Sequence, residues 1–222
     1  MARHHQDHEF AVIGLGRFGG SLALELTILG FSVLGIDHDP EVVQGISEDI
    51  ARAVSLDATD EDALQAVDIT AFDTVVVAIG TDFEANLLVA SALKALGVRR
   101  VIAKAVTQRQ RAILERIGVD QVVLPEIEAG RRLAHSLAEP HVLQRFDFGE
   151  EHHVLELRLP DTLAGRSLRH TDLTERYGLT VLAVKRDRSL QVAPPADFVF
   201  TATDLLVALG TREQVDRFFS SF

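Results

Sequence analysis

The feature that most constrains this chain lies in residues 9–124, where short apolar runs alternate with longer amphipathic stretches. The runs are Phe10–Gly14, Ser32–Asp37, Arg52–Ser55, Thr74–Ile79, Val101–Ala105 and Gln121–Leu124. Each is continuously apolar rather than alternating in polarity. Strands of that kind are buried on both faces, as in a parallel sheet covered by helices. Helical patterns occupy 17–29, 40–47, 60–67, 82–96 and 107–117, and another follows at 126–138. Strand and helix in strict turn predict an α/β fold, a Rossmann-like doubly wound parallel sheet with right-handed crossovers.

After Glu139-Pro140 the rhythm stops. HVLQRFDFGEEHH is polar, with Pro and Gly nearby, and reads as a connector. Beyond it, Val154–Leu159, Thr180–Lys185 and Asp204–Gly210 read as strands and Thr211–Phe219 as a terminal helix. Pro194-Pro195 marks a turn between strands. The expected organisation is a nucleotide-binding domain over 1–138 and a small α+β domain over 139–222.

Composition excludes several classes. There is no Cys, so no disulfide framework, thiolate metal site or cysteine nucleophile. Lys+Arg number 22 against 33 Asp+Glu, a net charge of -11, which argues against a nucleic-acid partner. Apolar runs fall short of the roughly 18 residues of a membrane span. MARHHQDHEF lacks the apolar core of a secretory signal. A cytoplasmic protein is expected. Of the nine His, His4, His5 and His8 cluster near the start and His152-His153 flank the connector, neither group at zinc-site spacing. No GxSxG elbow or Ser/His/Asp arrangement is identifiable.

The strongest chemical signal is Gly14-Leu15-Gly16-Arg17-Phe18-Gly19, between the strand FAVIG and the helix SLALELTILG. Gly14 permits the tight turn, Gly16 lets backbone approach a pyrophosphate, and Gly19 lets helix pack closely on strand. The phosphates then meet free N–H groups at the positive end of the helix. Asp37 ends the second strand, where a carboxylate accepts from ribose hydroxyls and repels a 2′-phosphate, so NADP is disfavoured. Arg17 inside the motif is either a bidentate phosphate ligand or a surface residue of the first helical turn.

Ligands of such sheets bind beyond the carboxyl ends of the strands. Asp57-Ala58 follows the third strand; Asp57 either accepts an adenine amino proton or caps a helix, with Thr59 and Asp60 as rival caps. Gly80-Thr81-Asp82 follows the fourth. Lys104, in the apolar strand VIAKA, requires a counter-charge, which a phosphate or Glu126 would supply. Glu126 is equally placed as a first-turn carboxylate favoured by the helix dipole.

Taken in order, EFAVIGLGRFGGSLALEL, VLGIDHDPEVV, SLDATDEDAL, DTVVVAIG, RRVIAKAVTQ and GVDQVVLPE resemble the N-terminal domain of the RCK (regulator of K+ conductance) family, KtrA/TrkA type. LAGRSL, RYGLTVLAVKR, APPADFVF and TDLLVALG resemble its small C-terminal domain. The resemblance implies a non-enzymatic, nucleotide-binding regulatory subunit. Its homodimers would assemble into an octameric ring on a separate membrane-embedded potassium-translocating subunit, at the inner face of the cell membrane. It implies ATP or ADP as ligand, or NAD(H), with Gly14, Gly16, Arg17 and Gly19 at the phosphates, Asp37 at the ribose and Asp57 near the base. Arg17 would reach a γ-phosphate across the dimer. Lys104 and Glu126 would lie on the phosphate side, Glu126 beside a cation (Mg, Ca or Na). Phe18, His38, Ala58, Ile79 and Gly80 belong to the same turns and join the cofactor contacts. Some relatives bind cyclic di-AMP in the C-terminal domain, where Arg169, His170 and Tyr177 are candidates. Leu56 departs from the Gly that often precedes Asp-Ala in the family. The rival readings are an NAD-dependent oxidoreductase, which needs a substrate domain larger than 139–222, and a stand-alone nucleotide sensor.

Overall fold

The computed structural model describes residues 8–149 and 151–222. His4 and His5 lie outside the described residues. The chain divides into two compact units, Met1–Ala129 and Gly130–Phe222.

In the first unit, β1 (Glu9–Ile13), β2 (Ser32–Asp37), β3 (Arg52–Ser55), β4 (Thr74–Val77), β5 (Val101–Lys104) and β6 (Gln121–Val123) form one parallel sheet. Its order is β3-β2-β1-β4-β5-β6, so strand order reverses between β1 and β4. The connections are α1 (Arg17–Ile28), α2 (Pro40–Ile46), α3 (Glu61–Ala66), α4 (Phe83–Ala95) and α5 (Gln108–Arg116). Both faces are buried, which is why the runs read as continuously apolar. Ala11 and Ile13 of β1 point into a core shared with Leu64, Leu93 and Leu114 of α3, α4 and α5. Val12, between them, points the other way, into a core with Ala23 of α1 and Val43 of α2. Helix α6 (Pro125–Ala138) follows β6.

Local chemistry fixes where the helices begin. Asp39, Asp60, Asp82 and Thr107 each accept from a backbone N–H of the first turn of α2, α3, α4 and α5. Helix α1 differs. Its N-cap is Gly16, with no side-chain acceptor, and its first turn carries no acidic residue.

The second unit is α+β. Five antiparallel strands, β7 (Val142–Phe148), β8 (His152–Arg158), β9 (Thr180–Arg186), β10 (Ser189–Val192) and β11 (Leu205–Thr211), run in the order β10-β9-β11-β8-β7. Helices α7 (Leu173–Tyr177) and α8 (Arg212–Phe219) pack on it through Leu173, Tyr177, Val215 and Phe218.

One sequence expectation is corrected in this unit. The segment read as a connector is β7 and the first residues of β8, joined as a hairpin. Arg145 and Asp147 pair across the strands with His153, and the His153 ring is buried although Asp147 stays exposed. Arg145 donates to the buried His153 ring at 2.7 Å, and the His153 ring bonds Asp147 at 2.9 Å. Strand β10 and helix α7 are additional, and both are too short for a periodic signal. Pro194-Pro195 follows β10.

Candidate functional site

At the carboxyl end of the parallel sheet, beside the β1/β4 switch point, lies an open cleft of about 1270 Å³. It exceeds the roughly 300–1,000 Å³ of a drug-sized ligand site, so a nucleotide fits within it. The cleft brings together Gly14, Gly16, Arg17, Phe18, Asp37, His38, Asp57, Ala58, Ile79, Gly80, Lys104 and Glu126. Of the residues named from sequence for this site, Gly19 alone lies outside its wall.

Gly14 has φ +90°, a backbone conformation that side chains disfavour. A Cβ on Gly19 would stand 1.8 Å from the Gly14 carbonyl oxygen, so Gly19 holds α1 against β1 from below the cleft. A Cβ on Gly16 would meet nothing within 4 Å; it would project into open space. Gly16 therefore leaves room at the uncapped start of α1, where unpaired N–H groups and the helix dipole favour an anion.

Asp37 is tied to this turn. Its Oδ2 accepts from Leu15 N–H at 2.7 Å and its Oδ1 from Asp39 N–H at 3.0 Å. One carboxylate therefore fixes the glycine turn while facing the cleft. The His38 ring lies 3.1 Å from the same carboxylate and is largely exposed.

Asp57 is not a helix cap. It accepts from the Thr59 hydroxyl at 2.7 Å and the Thr59 N–H at 2.9 Å, while Asp60 caps α3. Those two bonds, the hydroxyl first, hold its carboxyl below the usual range. Leu56 lines the cleft and packs on the core.

The opposite wall is built by Lys104. Its side chain is 10% exposed, and its ammonium bonds Glu126 at 2.7 Å and lies 5.6 Å over the Phe18 ring. A Cβ on Gly80 would come within 2.9 Å of that ammonium, so the glycine makes its place. The hydrogen bond from Lys104 lowers the Glu126 carboxyl below its ordinary value, with Arg17 adding a smaller pull. Arg17 itself is exposed and has no ion pair among the described residues.

One buried residue escaped the sequence reading. Asn86, in the second turn of α4, is 1% exposed and donates to the Ile79 carbonyl at 2.6 Å and the Lys104 carbonyl at 3.1 Å. Its only sequence signal is an amide inside the apolar helix FEANLLVASAL.

Among the described residues, no cluster of three or more His, Cys, Asp or Glu could hold a metal ion. In the second unit, Arg169 and His170 are exposed on a turn, and His170 bonds the Ser167 hydroxyl at 2.7 Å. Tyr177 is buried and packs edge-on against Phe218 at 5.2 Å, so it is a core residue. No helix of the described residues is long and apolar enough to cross a membrane.

Residues 10–125 match the TrkA-N domain and residues 154–222 the TrkA-C domain. The chain is 37% identical to Ktr system potassium uptake protein C of Bacillus subtilis over 210 residues, 95% of each chain. It is 34% identical to Ktr system potassium uptake protein A of the same organism over 213 residues, 96% of each. Among solved structures, the NAD-bound GsuK channel shares the fold with a TM-score of 0.64 at 18% identity, over 98% of this chain and 40% of that one. The ADP-bound form has a TM-score of 0.52 at 16% identity, over 58% of this chain and 34% of that one. The chain therefore belongs to the TrkA-type branch of the RCK family, with one TrkA-N and one TrkA-C domain in tandem.

Proposed function

We propose that this protein is a nucleotide-binding regulatory subunit of a potassium transport system, working by binding rather than by catalysis. The observation that carries the reading is the cleft itself. An uncapped glycine turn, the Asp37 carboxylate and the Lys104 ammonium line one concave site at the switch point. Full-length similarity to two Ktr potassium uptake proteins supplies the physiological setting. In this reading, the phosphates lie on the start of α1 and near Lys104, Asp37 takes the ribose, and Asp57 and Ala58 face the base.

Regulation follows from differential binding. A ligand shifts a conformational equilibrium only by binding its states unequally. ATP carries one phosphate more than ADP, and Arg17 is the cation in the cleft wall that has no ion pair among the described residues. Dimers joined in an octameric ring would place Arg17 of one copy at the γ-phosphate of the other only in one geometry. The ring would act on a separate membrane-embedded potassium-translocating subunit at the inner face of the membrane. A cation beside Glu126 would draw further ligands from phosphate oxygens, because the described residues offer no metal cluster there. Cyclic di-AMP would bind the second unit without Tyr177, which is buried.

Calorimetric titration with ATP, ADP and NAD tests the reading, beginning with wild-type protein. Tighter binding of ATP than ADP, equalised in Arg17→Ala, is the expected result. Binding of none of the three would refute the nucleotide site; unchanged ATP/ADP discrimination in Arg17→Ala would refute the role of Arg17.

A further inference from the structure

We infer that Asn86 is a positioning residue of the cleft, a clamp that holds the ends of β4 and β5 where the phosphate-side wall requires them. The inference deepens the nucleotide reading and rests on it.

The ladder between β4 and β5 ends at the pair Val77 and Ala103. Beyond that pair, the two chains must part to enter α4 and α5. The carbonyls of Ile79 and Lys104 lie past the last pair, and the Asn86 amide donates to both, at 2.6 and 3.1 Å. A side chain therefore continues the pairing for one step after the backbone stops. That step carries Gly80 and Lys104. A Cβ on Gly80 would stand 2.9 Å from the Lys104 ammonium, closer than real Cβ contacts allow. A small separation of the strand ends would move the ammonium away from both Gly80 and Glu126.

The arrangement has a cost. Asn86 is 1% exposed, and its Oδ1 has no hydrogen-bond partner among the described residues. A buried amide oxygen without a donor is unfavourable, and a shape-matched Leu would avoid it. The two donated bonds explain why an amide occupies the position. They also fix its orientation, since flipping the amide would set an oxygen against two carbonyls.

The test compares Asn86→Leu, which keeps the shape, Asn86→Ala, and the core control Leu93→Ala from the same helix. Each is titrated with ATP and with adenosine, and amide hydrogen exchange is followed at 78–81 and 104–106. In both Asn86 variants ATP should weaken about tenfold, the equivalent of one ordinary hydrogen bond, with adenosine unchanged. Exchange at both strand ends should accelerate. Leu93→Ala should leave the ATP-to-adenosine ratio at the wild-type value. A parallel loss of ATP and adenosine, or an unchanged ratio in Asn86→Leu, overturns the role of Asn86. Wild-type protein that binds neither ligand overturns the nucleotide reading itself, and Asn86 with it.

Discussion

Three glycines of one turn separate packing from binding. In Gly19→Ala the new methyl would lie 1.8 Å from the Gly14 oxygen and 2.9 Å from the Ala78 Cβ. Real Cβ contacts stay beyond 3.0 Å, so the start of α1 must retreat from β1 by more than an ångström. Overpacking of this kind costs about 1–3 kcal/mol, and a rigid backbone oxygen places it at the top of that range. Alanine returns up to about 1 kcal/mol of helix propensity. The net loss is about 2 kcal/mol, or a fall of roughly 6 °C in the unfolding temperature of the first unit. Gly20→Ala meets the Leu15 oxygen at 3.0 Å and should be close to neutral. Gly16→Ala meets nothing within 4 Å, and its φ of -61° suits any residue. Its stability should stay within about 1 kcal/mol of wild type. Yet the methyl would occupy the open space this turn leaves for a ligand, so ATP affinity should fall at least tenfold, which is about 1.4 kcal/mol. Thermal unfolding and ATP titration of the three variants give the answer. A stable Gly16→Ala that binds ATP like wild type would refute the phosphate seat. Gly19→Ala with wild-type stability would refute the packing argument.

Two further outcomes are expected. Asp204 is 1% exposed and bonds Arg186 twice at 2.7 Å and Thr201 at 2.7 and 2.9 Å. Burial raises its carboxyl pKa, but these donors together outweigh burial and leave it lowered from 3.8. The stability it contributes is therefore complete above pH 3.8 and lost as pH falls through its lower folded value. Asp204→Asn should cost about 3 kcal/mol near neutrality, the low end for a broken buried pair because Arg186 is half-exposed. It should also flatten the acid limb of the second unit's stability curve; an unchanged limb in thermal melts from pH 2 to 6 would count against this. Separately, ATP affinity should gain more from added Mg2+ than NAD affinity does, measured by calorimetry, and equal gains would refute a cleft short of positive charge.

The parallel sheet was legible because its signal is local and repeated. Each strand is buried on both faces, so the apolar runs needed no knowledge of their partners. The glycine turn and Asp37 were legible for the same reason, since strand, turn and helix are contiguous. Long-range pairing was not. Arg145, Asp147 and His153 look like solvated residues until β7 and β8 pair and bring them within hydrogen-bonding distance. Asp57 showed the limit of one-dimensional caps: three candidates stood in a row, and only the loop geometry gave the cap to Asp60 and the Asx turn to Asp57. Asn86 was invisible because its two acceptors lie at the ends of different strands, 7 and 18 residues away. Tyr177 was misplaced because a short helix turned it into the core.

The charges around the cleft decide what it can hold unaided. Arg17 and Lys104 face Asp37, Asp57, Asp82 and Glu126, so the wall carries more carboxylates than cations. Lys104 is committed to Glu126, and Asp37 to two backbone N–H groups. Asp57 and Asp82 are held by the turns they close. Phosphate attraction in one copy therefore rests mainly on the uncapped turn of α1 and on Arg17, with Lys104, partly neutralised by Glu126, adding a weaker pull. Backbone dipoles act over a short range, within the first turn. They serve the phosphates seated on them and little beyond. The more negative a ligand is past that point, the more it depends on positive charge from elsewhere, whether a metal ion or a residue of a second copy. A site with this imbalance would bind a short, weakly charged phosphate chain by itself. It would register an additional phosphate as a demand for assembly or for a cation, and that demand is the physical form a nucleotide switch would take here.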